Sequence, residues 1–218
     1  MSEAIADLYD YPALRQSGAT MFEVALVHPT LVLGGNQSID VLDRDRVGDT
    51  PVRRRRGGGG LVLLQPGDLW VDWWIPAHDP RWSPDVRASS IGTGRWWESV
   101  LVGRAPGAVS VHEGPLAGDP AHRLVCFAGR GPGEVFVDGR KAVGLTQWRV
   151  REGTFISTVV HARPSSDVLG YLRTVPDGIA AAIDHLTLPE LSVPGPELVE
   201  ALARASGPWR HHRRHLND

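Results

Sequence analysis

The chain is poor in the residues that staple or anchor a protein. Of its 218 residues only one is cysteine and only one is lysine. A lone Cys126 excludes an internal disulfide and any zinc site built on CxxC spacing. No apolar run approaches the ~20 residues that span a bilayer. The opening stretch, MSEAIADLYDYPALRQ, lacks the basic-then-apolar profile of a secretory leader. Both features predict a cytoplasmic protein with no membrane partner, and without a secretory route the sequon at Asn36-Gln37-Ser38 carries no meaning. Charge of one sign is missing as well. Lys+Arg 23 against Asp+Glu 25 leave −2, which excludes a broadly basic nucleic-acid binder. The histidines show no metal-ligand spacing, so no metal site is expected, and His211, His212 and His215 in the basic terminus read as a solvated tail.

Tryptophan and glycine are plentiful instead, 8 and 25 residues respectively. Apolar runs at 21–27, 30–35, 52–64 (broken by a glycine loop), 69–76, 108–112, 122–128, 134–147 and 154–162 have the β-branched and aromatic content of strands. Asp138-Gly139 inside the run 134–147 is a hairpin signal. Helices are expected near 84–102, where Pro84-Asp85 opens an apolar periodicity interrupted by Gly92 and Gly94, and near 166–172 and 197–205. A short helix over 38–46 and helical potential in 1–18 are weaker. Strands dominate without regular β-α-β alternation, which predicts an α+β fold: a mixed, mostly antiparallel sheet flanked by helices. No long polar linker divides the chain, so 1–218 reads as a single domain with a C-terminal helical segment and basic tail over 176–218.

Two segments could carry chemistry. Arg53–Arg56 followed by Gly57–Gly60 lies between strand-like runs. Glycines without Cβ let a backbone approach a ligand and turn N–H groups toward an anion, and guanidiniums add fixed positive charge. The competing reading is a solvated basic run beside a flexible loop, and neither GxxxxGK[ST] nor GxGxxG is present. The second segment runs from Cys126 through Glu134 to Lys141 and Gly144. A chain that otherwise uses arginine but keeps Lys141 between apolar residues has use for a compact ammonium there, unless that lysine only blunts a strand edge. Cys126 is either a nucleophile or inert filler in an apolar strand.

Taken in order, Leu33-Gly-Gly-Asn-Gln37, then Arg55-Arg56-Gly57-Gly58-Gly59-Gly60-Leu61-Val62, then Gly139-Arg140-Lys141-Ala-Val-Gly144-Leu-Thr-Gln147 resemble the lipoate–protein ligase A family, the biotin/lipoate ligase catalytic-domain type. The likeness covers about residues 20–175. It implies transfer of lipoyl or octanoyl to a lysine on a lipoyl carrier domain of 2-oxoacid dehydrogenase or glycine cleavage proteins, with the acyl chain in a dry tunnel lined by Val, Leu and Trp. It also implies an acyl or acyl-adenylate site at Arg55, Gly58, Gly59, Gly60, Leu61, Val62 and Gly144, with Lys141 at the acyl carbonyl or α-phosphate. The sequence departs from the pattern at Gly57, where Ser or Thr is usual, at Leu64, Gln65 and Asp68, where His, Asp and Asn are common, and at Ile156-Ser157, where His-Gly is usual. The biotin-type GRGRxxxW loop has no counterpart.

Two activation routes follow from the resemblance. A ligase would use ATP and Mg²⁺ to make an acyl-adenylate. Ligases of the family carry an accessory domain, and the chain beyond residue 175 is short for one. A transferase would take octanoyl from acyl carrier protein onto a cysteine as a thioester. Cys126-Phe127, eight residues before Glu134 and fifteen before Lys141, resembles the cysteine segment of the family's cysteine-dependent octanoyltransferases, although no matched histidine stands as a base. A non-catalytic acyl-binding protein is the third reading, motivated by the lost polar residues.

Overall fold

The computed structural model describes residues 5–163, 165–188 and 195–216. Its centre is β5 (Leu69–Pro76), buried along nearly its whole length. Alternation along this strand sends Val71, Trp73 and Ile75 to one side of the sheet and Trp70, Asp72 and Trp74 to the other. Because both faces are apolar, both must be covered, and this requirement sets the layers.

Among the described residues seven strands build the main sheet in the order β10-β1-β5-β9-β8-β7-β6. These are β1 (Thr20–Ala25), β5, β6 (Val109–Val111), β7 (Val135–Val137), β8 (Arg140–Val150), β9 (Gly153–Val160) and β10 (Arg210–His215). All neighbours are antiparallel except β1 and β10. The first face is covered by α3 (Val86–Leu101) and α5 (Gly195–Ser206), through Trp97, Val100, Leu101, Leu198 and Leu202. The second face carries the segment Leu8–Arg15, including the short α1 (Tyr11–Arg15), and a small sheet. That sheet joins β2 (Thr30–Leu33), β3 (Val52–Arg54) and β4 (Val62–Leu64) in the order β3-β2-β4. Period-2 alternation divides its side chains. Val32 and Leu64 face the large sheet, whereas Leu31, Leu33 and Leu63 face a separate cluster that includes Ile179 and Ile183 of α4 (Ile179–Leu186). The fold is the expected mixed, mostly antiparallel sheet with flanking helices.

Local chemistry explains the elements that match expectation. Asp85 accepts hydrogen bonds from the N–H groups of Arg87 and Ala88 and so caps α3. Asp138 and Gly139 both have positive φ, 46° and 77°, and join β7 to β8 in a tight turn. The expected short helix over 38–46 is a 3₁₀ turn at Ile39–Val41 followed by α2 (Arg44–Val47).

Other expectations need correction. Residues 122–128 are not a strand: 3₁₀ turns occupy Pro120–Leu124 and Cys126–Ala128, because Asp119 caps Ala121 beside a proline and Gly129 follows. One rung of ladder survives, Leu61 against Val125. The expected helix at 166–172 is a 3₁₀ turn, Ser165–Tyr171. The basic terminus is not a free tail. Arg210–His215 adds to the sheet edge beside β1, where Arg214 lies over the Phe22 and Tyr9 rings and Arg213 pairs with Glu23.

The two glycines of α3 differ in surroundings. A Cβ on Gly92 meets nothing, whereas one on Gly94 overlaps the Gly133 carbonyl and comes within 2.9 Å of Val111 Cγ1. Gly92→Ala should therefore raise stability by about 1 kcal/mol through helix propensity. Gly94→Ala should lower it by roughly 1–3 kcal/mol through overpacking. Urea midpoints of the two variants check both signs.

Candidate active site

Between the two sheets lies a narrow slot with a cavity volume of about 50 Å³. Val32, Val62 and Leu64 of the small sheet, with Leu8, form one wall, and Trp70, Ser157, Val159 and Gly144 of the large sheet form the other. The slot runs into a wider cleft of about 600 Å³ lined by Gly58, Gly59, Gly60, Arg123, Arg130 and Lys141, among others. Cys126, Glu134, Leu145 and Thr146 line both spaces. They mark the junction.

Arg55 sets the geometry of the glycine loop. It is 5% exposed, and its Nε and Nη2 donate to the Gly58 carbonyl at 3.0 and 2.9 Å. Nη1 donates to the Val32 carbonyl at 3.1 Å, and Nη2 also reaches the Gly60 carbonyl at 2.6 Å and Cys126 Sγ at 3.2 Å. A guanidinium with its donors on backbone carbonyls is a brace for the loop and not a free anion hook. Arg55, expected at an acyl or acyl-adenylate site, lines the slot with these donors engaged on the loop. Arg54 braces the preceding turn, donating to the Gly34 carbonyl at 3.0 Å and the Gln37 carbonyl at 2.5 Å.

The other expected site residues divide between spaces. Gly58, Gly59 and Gly60 face the cleft, Val62 and Gly144 face the slot, and Leu61 is fully buried in the cluster behind the small sheet. Leu61 acts through its backbone. Its N–H donates to the Leu124 carbonyl at 2.8 Å and its carbonyl accepts from Cys126 N–H at 2.9 Å. This zips the cysteine segment to the loop, and Cys126 Sγ lies 3.0 Å from the Gly60 carbonyl. Gly144 leaves room for Phe127, whose ring would come within 2.7 Å of a Cβ there. At Gly57, where the resemblance leads one to expect Ser or Thr, a Cβ would lie 2.6 Å from Thr146 Oγ1, which donates to the Gly58 carbonyl at 2.9 Å. A hydroxyl from β8 thus stands beside the loop at this point.

Lys141 is 1% exposed and its Nζ pairs with Glu134 Oε2 at 2.8 Å. The same ammonium donates to the Cys126 carbonyl at 3.3 Å and lies 5.2 Å from the Phe127 ring centroid. Glu134 Oε2 also accepts from Gly131 N–H at 2.6 Å. Lys141, Cys126 and the glycine loop are therefore brought together. Glu134 is the member that residue patterns missed, since nothing in the spacing says that its side chain turns back onto Lys141. His161 was missed too. It pairs with Asp68 at 3.0 Å and packs 4.4 Å from Phe127, but it lines neither space.

The chain matches no protein-family model, and no curated protein matches it by sequence. Solved structures do match. The T. acidophilum lipoate protein ligase structure with bound lipoic acid superposes with TM-score 0.68 at 13% identity, covering 98% of this chain and 87% of that one. A lipoate–protein ligase A bound with ATP gives TM-score 0.66 at 16% identity, covering 95% and 82%. The bi-partite lipoate protein ligase of Thermoplasma acidophilum, determined with its E2 lipoyl domain, gives 0.63 at 15% identity, covering 95% and 80%. This chain has the lipoate–protein ligase catalytic fold. Among the described residues of this ligase-type fold, no group of three or more His, Cys, Asp or Glu side chains is placed to hold a metal ion. No helix among the described residues is long and apolar enough to cross a membrane.

Under the slot wall of the ligase-type sheet sits a fully buried carboxyl, Asp72. Burial pushes it up to about 7, against hydrogen bonds from Ser157, Tyr9 and Trp70 that favour its charged form. Tyr9 O–H and Trp70 Nε1 both donate to it, the latter at 2.6 Å. A carboxyl raised on folding binds a proton that the unfolded chain releases near 3.8. Its contribution to stability is therefore full at low pH, falls as pH rises from about 4 to about 7, and is flat above. Asp72→Asn removes this slope. Between pH 5 and pH 8 the wild type should lose about 2–3 kcal/mol more stability than the variant, at 1.36 kcal/mol per pH unit. Equal pH dependence in urea titrations would show that Asp72 takes up no proton on folding.

Proposed function

We propose that this chain attaches a lipoyl or octanoyl group to a lysine of a lipoyl carrier domain, such as those of 2-oxoacid dehydrogenase or glycine cleavage proteins. The observation that carries this reading is the apolar slot between the sheets, which opens at Cys126 and Glu134 into the cleft bearing Lys141 and the glycine loop. At about 50 Å³ the slot is narrower than an eight-carbon chain, so its apolar walls part to admit one, and the chain gains roughly 5 kcal/mol, at ~0.8 kcal/mol per buried CH₂, before that cost and the cost of ordering. Its carbonyl end would then stand at the junction. The lipoic acid, ATP and E2 lipoyl domain named with the similar structures agree with this substrate class.

A second, sharper reading concerns activation. An acyl-adenylate made with ATP and Mg²⁺ would bring a phosphate anion to Lys141, but the ammonium is already paired with Glu134, and Arg55 is engaged with carbonyls. The pair is near zero in net charge, so the ammonium offers a phosphate little net attraction there. A thioester is neutral and needs none. Cys126 Sγ lies at the mouth of the slot, 3.2 Å from the Arg55 guanidinium, a fixed positive charge beside a developing thiolate. In this reading octanoyl passes from acyl carrier protein to Cys126. The C–S bond to the carrier breaks as the C–Sγ bond forms, and the carrier lysine then takes the acyl group from Sγ.

Intact mass after incubation with octanoyl–acyl carrier protein tests both. The thioester route predicts an octanoyl adduct on the wild type and none on Cys126→Ser, with transfer to the carrier domain lost in the same variant. ATP-dependent modification of the carrier without an adduct would assign the adenylate route. Neither product would leave a binding protein. Lys141→Ala is the less clean probe. It strands Glu134 without its partner and should lower stability by about 3–5 kcal/mol in addition to any loss of transfer.

A further inference from the structure

Acyl transfer to an amine needs a proton acceptor, because one N–H proton must leave as the C–N bond forms. Four side chains line both the slot and the cleft, and Glu134 is the one carboxylate among them. It is pinned through a single oxygen. Oε2 accepts from Lys141 Nζ at 2.8 Å and from Gly131 N–H at 2.6 Å, and no described residue donates to Oε1. Lys141 Nζ also bonds to the Cys126 carbonyl at 3.3 Å, so the carboxylate and the cysteine belong to one hydrogen-bonded cluster. Lys141 makes no bond to Sγ, whose neighbours are Arg55 and the Gly60 carbonyl. The ammonium thus aims the carboxylate, and the carboxylate has a free oxygen at the place where an amine must arrive.

We infer that Glu134 is the general base of the transfer step, an inference that rests on the Cys126 thioester reading. The lysine amine nitrogen attacks the thioester carbonyl carbon. The C–N bond forms, the C–Sγ bond breaks, and its electron pair leaves on Sγ facing Arg55. The amine proton passes to Glu134 Oε1 and from there to Sγ, which restores the thiol and the carboxylate. No further reactant is consumed.

The test separates this step from the first. Wild type and Glu134→Gln are loaded on Cys126 with octanoyl-pantetheine, followed by intact mass, and then challenged with Nα-acetyl-lysine amide or with hydroxylamine, a nucleophile that is neutral at pH 7 and attacks thioesters without a base. The variant should acquire the adduct and release it to hydroxylamine at the wild-type rate, while transfer to the lysine amide falls about 10²-fold, the size of a lost general base. In Glu134→Ala, formate should restore part of that transfer by placing a carboxylate beside Lys141. Glu134→Asp keeps the charge next to Lys141 and the fold with it, and its shorter reach should give the same selective loss with the amine acceptor. Equal slowing with both acceptors, or a wild-type rate with the amine, overturns the base role alone. A wild type that acquires no octanoyl adduct overturns the thioester reading and this role with it.

Discussion

One buried guanidinium ties the site to the fold. Arg55 leaves the end of β3 and reaches across the glycine loop, binding the carbonyls of Val32, Gly58 and Gly60 while touching Cys126 Sγ. Each of those carbonyls would otherwise be a polar group at the edge of an apolar slot, where an unmet hydrogen bond costs about 1–3 kcal/mol. Because the planar fork satisfies several acceptors at once, the loop has one shape, and that shape brings the cysteine segment against it through Leu61. A lysine offers no equivalent fork.

The slot exists because the large sheet needs cover on both faces and the two coverings differ. Helices α3 and α5 pack closely on one side, where Trp73 and Trp97 fill the space. On the other side the small sheet meets the large one across side chains of unequal size. Val32, Val62 and Gly144 leave room that Trp70 closes from one side only. Charged groups then gather around this low-dielectric space in compensated form. Lys141 with Glu134 lies at its mouth, and Asp72 with its donors from Tyr9, Trp70 and Ser157 lies behind its wall. The mouth pair is near zero in net charge, which suits a neutral acyl donor better than an anionic one.

Much of the scaffold was legible along the chain, residue by residue. Asp85 announced α3, Asp138-Gly139 announced the β7–β8 turn, and the Trp-rich run at 69–76 announced the central strand. Segments whose structure depends on distant partners were not legible. Residues 122–128 look like a strand but make a single ladder rung, because Leu61 offers one and the flanking proline and glycines permit no more. Arg210–His215 looks like a solvated tail but finds the open edge of β1. Of the candidate site, Cys126, Lys141 and the glycines could be picked out by type and spacing. The engagement of Arg55 on the loop, the Thr146 hydroxyl standing beside Gly57, and the Glu134 partner could not, since each is a contact between residues far apart in the chain or turned by the fold.

The sequence by itself determined which residue types were available for chemistry (one thiol, one ammonium, a loop without side chains) and the periodicities that make strands and helices, because these depend on neighbours within a few positions. Tertiary structure alone decided which charges neutralise one another and where the apolar walls part. Side-chain direction at a buried site is set by which carbonyls and carboxylates need partners after two sheets have been pressed together, and that requirement is written in no single segment of the chain.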